Sequence, residues 1–191
     1  MTTRATPPPA SDSHISGPDC WQIVPSGSSL TFTLRHIVIH EIRGCFHRWG
    51  GRMLLDTGDP STSHVDIWVD LDSVDTGSPE RDAQVRSAEL LDVKRFPFAE
   101  FKSDAIEAGG DQIKVHGHLK LHGVRRPLDM DVKPLLVVHD AKSVQAAYDA
   151  TATIDRQAFG VHWNQDLDVG GIVVGDRIRL HVRVEAIRFT G

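Results

Sequence analysis

The stretch "DRIRLHVRVEA", residues 176 to 186, sets Ile178, Leu180, Val182, Val184 and Ala186 on one side against Arg177, Arg179, His181, Arg183 and Glu185 on the other. A strict period of two is the signature of a β-strand with one buried and one wet face, because successive side chains of an extended chain point in opposite directions. The same alternation recurs. "SLTFTLRH" aligns Leu30, Phe32, Leu34 and His36, and "HVDIWVDL" aligns Val65, Ile67, Val69 and Leu71. Further strands are expected around Arg43 to Asp56, Ala99 to Ile106, Gln112 to His122, Pro127 to His139 and Gln145 to Ile154, separated by turn signals such as "EAGGDQ", "HGVRRP" and "VHDAKS". That makes about eight antiparallel strands. In the second, Phe46 is followed in phase by Trp49, Gly51, Met53 and Leu55, so an extra residue must be absorbed by a bulge. One short helix is expected over about 79–92, in "SPERDAQVRSAELLD", with Ser78 as cap and Pro79 in the first turn. A second short turn is expected in "DRQAFG", with Gly160 as its stop.

A sheet of eight strands with one apolar face buries it by folding into a sandwich or by closing on itself, and periodicity alone leaves both open. The 191 residues suffice for one domain with a well-buried core. Residues 1–19, rich in Pro, Ser, Thr and Asp, lack the apolar payload to order themselves and are expected to be a disordered tail before a domain at 20–191. The formal charge of −5 argues against nucleic acid as a partner. Cys20 and Cys45 are too few for a disulfide scaffold and are read as thiols. The first residues show no apolar run of the kind export requires, and no stretch is long and apolar enough for a membrane-spanning helix, so a cytoplasmic protein without an integral membrane segment is expected.

Several separated motifs then occur in a familiar order: Gly44 with Phe46, "TG" at Thr76 and Gly77, "RD" at Arg81 and Asp82, "FP" at Phe96 and Pro97, the glycine and leucine skeleton from Gly117 to Val124, and Arg156 with Phe159 and Gly160. With these the chain, from Trp21 to Ile187, resembles the YceI-like family of polyisoprenoid-binding, lipocalin-like proteins. The resemblance implies an all-β fold, an eight-stranded antiparallel lipocalin-like barrel. Its apolar cavity would take a polyisoprenoid-like or other amphiphilic small molecule, with no chemistry performed. A homodimer is compatible with it.

By alternation the residues expected to face such a cavity are Leu30, Phe32, Leu34, Ile67, Val69, Phe101, Leu119, Leu121, Met130, Ile178, Leu180 and Val182; taken singly each reads as solid core, and only the set argues for a pocket. His36 follows in phase and would meet a ligand headgroup or bond a backbone carbonyl; it also matches a histidine often seen in the family at this place. Arg156 would offer a fork to an anionic headgroup or staple a turn. Phe159 and Trp163 would form a mobile rim. Arg81 and Asp82 are read as a mutual or capping ion pair at the start of the helix. In "VHGHLKLHG" the apolar Leu119 and Leu121 take the interior, so His116, His118 and His122 are expected to face outward, and no metal is expected there. No nucleophile elbow, phosphate loop or paired-cysteine zinc spacing occurs, and neither a cofactor nor catalysis is expected. Two alternatives stay open: an enzyme using His36 within the same cavity on an isoprenoid or polyketide, and a ligand-free stress-response or interaction protein with a filled barrel.

Overall fold

The computed structural model describes residues 20–36, 40–56, 62–162 and 174–189, with the side chains of His36, His40, Val174 and Phe189 excepted. The expected tail, 1–19, lies outside these residues. The described residues form eleven strand segments: β1 (Cys20–Ile23), β2 (Ser29–His36), β3 (His40–Phe46), β4 (Trp49–Leu54), β5 (His64–Asp70), β6 (Val74–Asp75), β7 (Phe98–Gly109), β8 (Gln112–Leu121), β9 (Val124–His139), β10 (Ser143–Asp155) and β11 (Val174–Phe189). They are eight strands in pairing terms. β1 and β2 run successively along β11, β3 and β4 run along β2 and β1, and β5 and β6 run along β4 and β3. Every neighbour is antiparallel, and β11 pairing with β1 and β2 closes the ring. The fold is an eight-stranded antiparallel barrel.

The three broken strands are held at their breaks by bonds that replace the lost ladder, as buried backbone groups demand. Between β1 and β2, Val24 N–H donates to Glu185 O at 2.7 Å, and Ser28 Oγ donates to Val24 O at 2.7 Å. The second break, at His47 and Arg48, is where the apolar phase slips in the sequence. His47 N–H donates to Ser73 O (3.2 Å), and Arg48 N–H donates to Ser73 Oγ (2.9 Å). Ser73 belongs to the third break, so the two faults lie side by side. The Arg48 guanidinium also meets Asp70 at 2.8 Å.

The helix α1 (Pro79–Arg86) starts on Ser78, whose side chain accepts from Arg81 N–H, and stops at Ser87 in extended backbone. It is shorter than expected because a series of turns, ending at Asp92 with φ 44°, replaces its last part. Arg81 and Asp82 do not pair with each other as expected. Both grip Thr76: Asp82 accepts from its N–H (2.8 Å) and hydroxyl (2.6 Å), and Arg81 donates to its carbonyl (2.6 Å). This ties the helix to the end of the barrel bounded by Asp70, Leu121 and Asp155.

That end is solid. Leu71, Leu119, Leu121, Leu128, Ile154, Phe159 and Val161 are all buried in one cluster with Phe101. The Phe101 ring lies over Gly117 on the adjacent strand, where an added Cβ would sit 2.5 Å from ring atom Cζ and 2.4 Å from the Lys102 carbonyl. Because one obstacle is backbone, Gly117→Ala should cost about 2 to 3 kcal/mol in urea denaturation, the range of overpacked cores. Gly109→Ala, whose Cβ meets nothing within 4 Å, should stay within about 0.5 kcal/mol. Equal effects would contradict the packing described.

Candidate ligand cavity

The opposite half of the barrel is hollow. Between the β7–β8 and β9–β10 hairpins and the β4–β5 connection lies a cavity of about 300 Å³, the lower end of the range typical of small-molecule sites. All eight strands contribute to its wall: Ile23, Met53, Val65, Ile67, Ile106, Ala108, Ile113, Val115, Met130, Val132, Tyr148, Ala150, Val182 and Val184, joined by Leu55, Asp56 and Ser63. Of these seventeen, only Asp56, Ser63 and Tyr148 carry a side-chain oxygen. The surface is therefore suited to a small hydrophobic guest, since an apolar cavity gives water few hydrogen-bond partners.

Two of the three polar groups, Asp56 and Ser63, flank the connection after β4, and the third, Tyr148, stands on β10. Ser63 is buried and its hydroxyl accepts from Asp56 N–H at 2.9 Å, while Thr62 Oγ1 donates to Asp56 Oδ2 at 3.2 Å. Burial raises the Tyr148 phenol above its usual range, so it keeps its proton and remains a donor at neutral pH. Beyond Val132, β9 continues past the start of β8, and its side chains Leu135, Leu136, Val137 and Val138 are 47 to 60% exposed. The apolar wall thus runs out of the cavity onto the hairpin above it.

A model of the YceI-like domain matches residues 21–186. The chain belongs to the YceI-like family. A UPF0312 protein of Pseudomonas paraeruginosa is 30% identical over 160 residues, covering 83% of this chain and 81% of that protein. Protein YceI of Salmonella newport is 35% identical over 104 residues, 54% of each chain. Among solved structures, Burkholderia cenocepacia BcnA superposes with a TM-score of 0.71 at 22% identity, covering 86% of this chain and 98% of that one. A polyisoprenoid binding domain from Saccharophagus degradans, implicated in plant cell wall breakdown, gives a TM-score of 0.66 at 16% identity, over 87% and 97% of the two chains.

Of the residues nominated from alternation, Ile67, Met130 and Val182 stand in the cavity wall. Leu30, Phe32, Phe101, Leu119 and Leu121 are buried outside that wall, and Leu34, Val69, Ile178 and Leu180 are half-buried outside it. Phe159, expected at a mobile rim, is 3% exposed beyond the far end of β10. Trp163 and the side chain of His36 lie outside the described residues; the His36 backbone pairs with His40 and Val174. Arg156, 8% exposed, staples the turn after β10: it donates to Val161 O (2.8 Å) and Gly175 O (3.3 Å) and pairs with Asp176 (2.8 Å). The wall residues that the nominations omit include Val115 and Val184, which share strand and face with nominated neighbours, and Ala108 and Ala150, whose small size at inward positions was the available signal.

The histidines of β8 separate. His116 pairs with Asp129 across the β8–β9 ladder at 2.8 Å, and His118 pairs with Asp104, so both face outward. His122 does not: it leaves the strand with φ 52°, packs on Phe96 at 4.7 Å and meets the Phe159 carbonyl at 3.3 Å.

Two predictions follow from these contacts. Arg156→Met should destabilise the fold by about 2 kcal/mol, as carbonyls lose a buried partner, while leaving apolar-probe affinity unchanged in fluorescence titration. The hydrogen bond to Asp129, aided by that carboxylate's charge, raises the His116 pKa above its ordinary value. This contribution to stability is therefore complete below the unfolded-state pKa and disappears as pH rises through the folded one. Asp129→Asn should lower the His116 midpoint in an NMR titration.

Proposed function

We propose that this protein binds and carries a polyisoprenoid-like lipid, with the hydrocarbon in the hollow half of the barrel. The carrying observation is the oxygen-poor wall of the cavity, contributed by every strand. Each methylene moved from water into such a surface gains about 0.8 kcal/mol, so a short stretch of chain supplies most of a useful affinity. A cavity of about 300 Å³ does not enclose a long prenyl chain. The remainder would lie along Leu135 to Val138, whose exposed side chains extend the wall outward. Support from relatives is the Saccharophagus degradans domain, described as polyisoprenoid binding.

The polar end of the cavity favours an uncharged hydroxyl headgroup over a phosphate. Asp56 would repel an anion but accept a hydroxyl proton, and the protonated Tyr148 would donate. The free stretch of β9, residues 133–139, supports dimer formation by edge-to-edge pairing with a second copy. Sedimentation velocity should then show a dimer that Leu136→Lys dissociates, whereas a variant-insensitive monomer would refute it.

Lipid binding is tested by filling the cavity. Ala150→Phe and Ala108→Trp should each reduce the affinity for a short prenol at least tenfold, read by competition with an apolar fluorophore, with the strand circular dichroism retained. Native mass spectrometry of the protein from its own cell should release a prenyl lipid on organic extraction. Folded variants with unchanged affinity would refute the assignment of the cavity.

A further inference from the structure

The outer face of the barrel carries a second constellation, remote from the cavity wall. Cys45 ends its alternation on β3 pointing outward, since its neighbour Phe46 packs inward against Phe32 with ring centroids 5.5 Å apart. Asp75 on β6 stands directly opposite Cys45 in the antiparallel register. His47 follows two residues after Cys45, at the break between β3 and β4. These placements converge three donors of different type. Cys45 Sγ lies 3.8 Å from His47 Nε2, His47 Nε2 lies 2.9 Å from Asp75 Oδ2, and all three atoms are within 4.8 Å of one another.

We propose that Cys45, His47 and Asp75 form a three-ligand site for a zinc-type divalent cation, with its fourth position open to solvent. Zinc is held tetrahedrally by thiolate, imidazole and carboxylate at about 2.0 to 2.3 Å, which puts ligand atoms about 3.3 to 3.6 Å apart. The observed separations bracket that spacing, so small side-chain rotations complete the site. Both the thiolate and the imidazole suit zinc over magnesium or calcium. Two features prepare it. The Gly77 N–H donates to Asp75 Oδ1 at 2.8 Å, which fixes the carboxylate with Oδ2 toward His47. The same nitrogen of His47, Nε2, faces both the sulfur and the carboxylate, the convergence an ion requires and a proton relay through both ring nitrogens does not provide. A solvent-filled groove of about 530 Å³ beside α1, lined by His47 and Asp75 among others, leaves the remaining coordination position accessible.

Nearby charge is consistent with a cation. Asp75 and Asp82 both act on Cys45 through their charge and would equally attract a metal, which binds the sulfur as thiolate. Of the local cations, Arg48 and Arg86 form their close ion pairs with Asp70, Asp72 and Asp82, and Arg81 is held on Thr76; only the charge of Arg86 also acts on Asp75. An ion here would clamp β3, the break after it and β6, where strand pairing is interrupted.

The test uses the full, tag-free chain and zinc chloride. Isothermal titration should show one ion per chain with micromolar or tighter affinity, and thermal unfolding should shift upward with zinc. Cys45→Ser, His47→Ala and Asp75→Asn should each weaken binding at least tenfold while melting as cooperatively as the parent without metal. His116→Ala should leave affinity unchanged. Cobalt should give a thiolate charge-transfer band that Cys45→Ser abolishes. Zinc should slow alkylation of Cys45, mapped by peptide mass spectrometry, without slowing Cys20. The proposal is overturned if no zinc binds in the micromolar range, if binding survives Cys45→Ser and His47→Ala, or if His116→Ala removes it.

Discussion

The ring of Phe101 over Gly117 divides this barrel into two unlike halves. An eight-stranded barrel has an interior close to the size that side chains can fill, so a few large residues decide whether a given level is solid. At the level of Phe101, Leu119 and Leu128 the residues are large and buried in one cluster; the missing Cβ of Gly117 is what lets the ring lie against the adjacent strand. One or two pairs further along each strand, the inward positions change to Val115, Ala150, Val182 and Val184, which do not reach across. The hollow thus follows from small residues at the inward positions, together with register shifts at Ser103/Ala105 on β7 and at Ala147/Tyr148 on β10 that reset the strands at its level.

Two of the three strand breaks lie toward the solid end. Breaks in two adjacent strands share Ser73 and the Arg48 to Asp70 pair, so the ladder is interrupted once, as a unit, instead of at two independent weak points. Side chains and backbone carbonyls there take over the bonding that continuous strands would supply. The helix is bound to the same end through Thr76, with its acid and its base both committed to that residue. Such commitments explain why Arg81, Asp82 and Arg156, all charged, contribute to shape without facing the cavity. The hollow end, free of these staples, can carry an opening.

How far the sequence made this legible depends on which question is asked. Alternation in Leu180, Val182 and Val184 revealed strand and inward face together, and the slip after Phe46 located a real break. Height along the barrel is a different coordinate. Leu119 and Val115 share a strand and a face, yet only Val115 borders the hollow, and period-two reasoning assigns them the same place. The helix length was overread because Val85, Ala88 and Leu91 keep a helical spacing through turns that use it without helix. His122 was misplaced because alternation was carried one residue beyond Leu121, into a turn with left-handed backbone. The Cys45, His47 and Asp75 group was invisible for another reason: its third member is brought in by the register of β6, a two-residue segment that no period identifies.

The hairpin above the cavity shows how edge chemistry limits association. β9 continues seven residues past its last pair with β8, and its exposed side chains are apolar on both faces, a combination that invites uncontrolled pairing. Lys133 and Pro134 occupy the first two positions of that free stretch. A charge and a missing N–H donor make the start of the edge a poor template, and Leu135, skipped in the register between Leu136 and Pro134, bends the strand just beyond. Only the distal segment from Leu136 to His139 retains regular pairing geometry on its free side. An edge this short supports few ladder bonds, so self-association through it must be weak and concentration-dependent, and lipid occupying the apolar faces would compete with it.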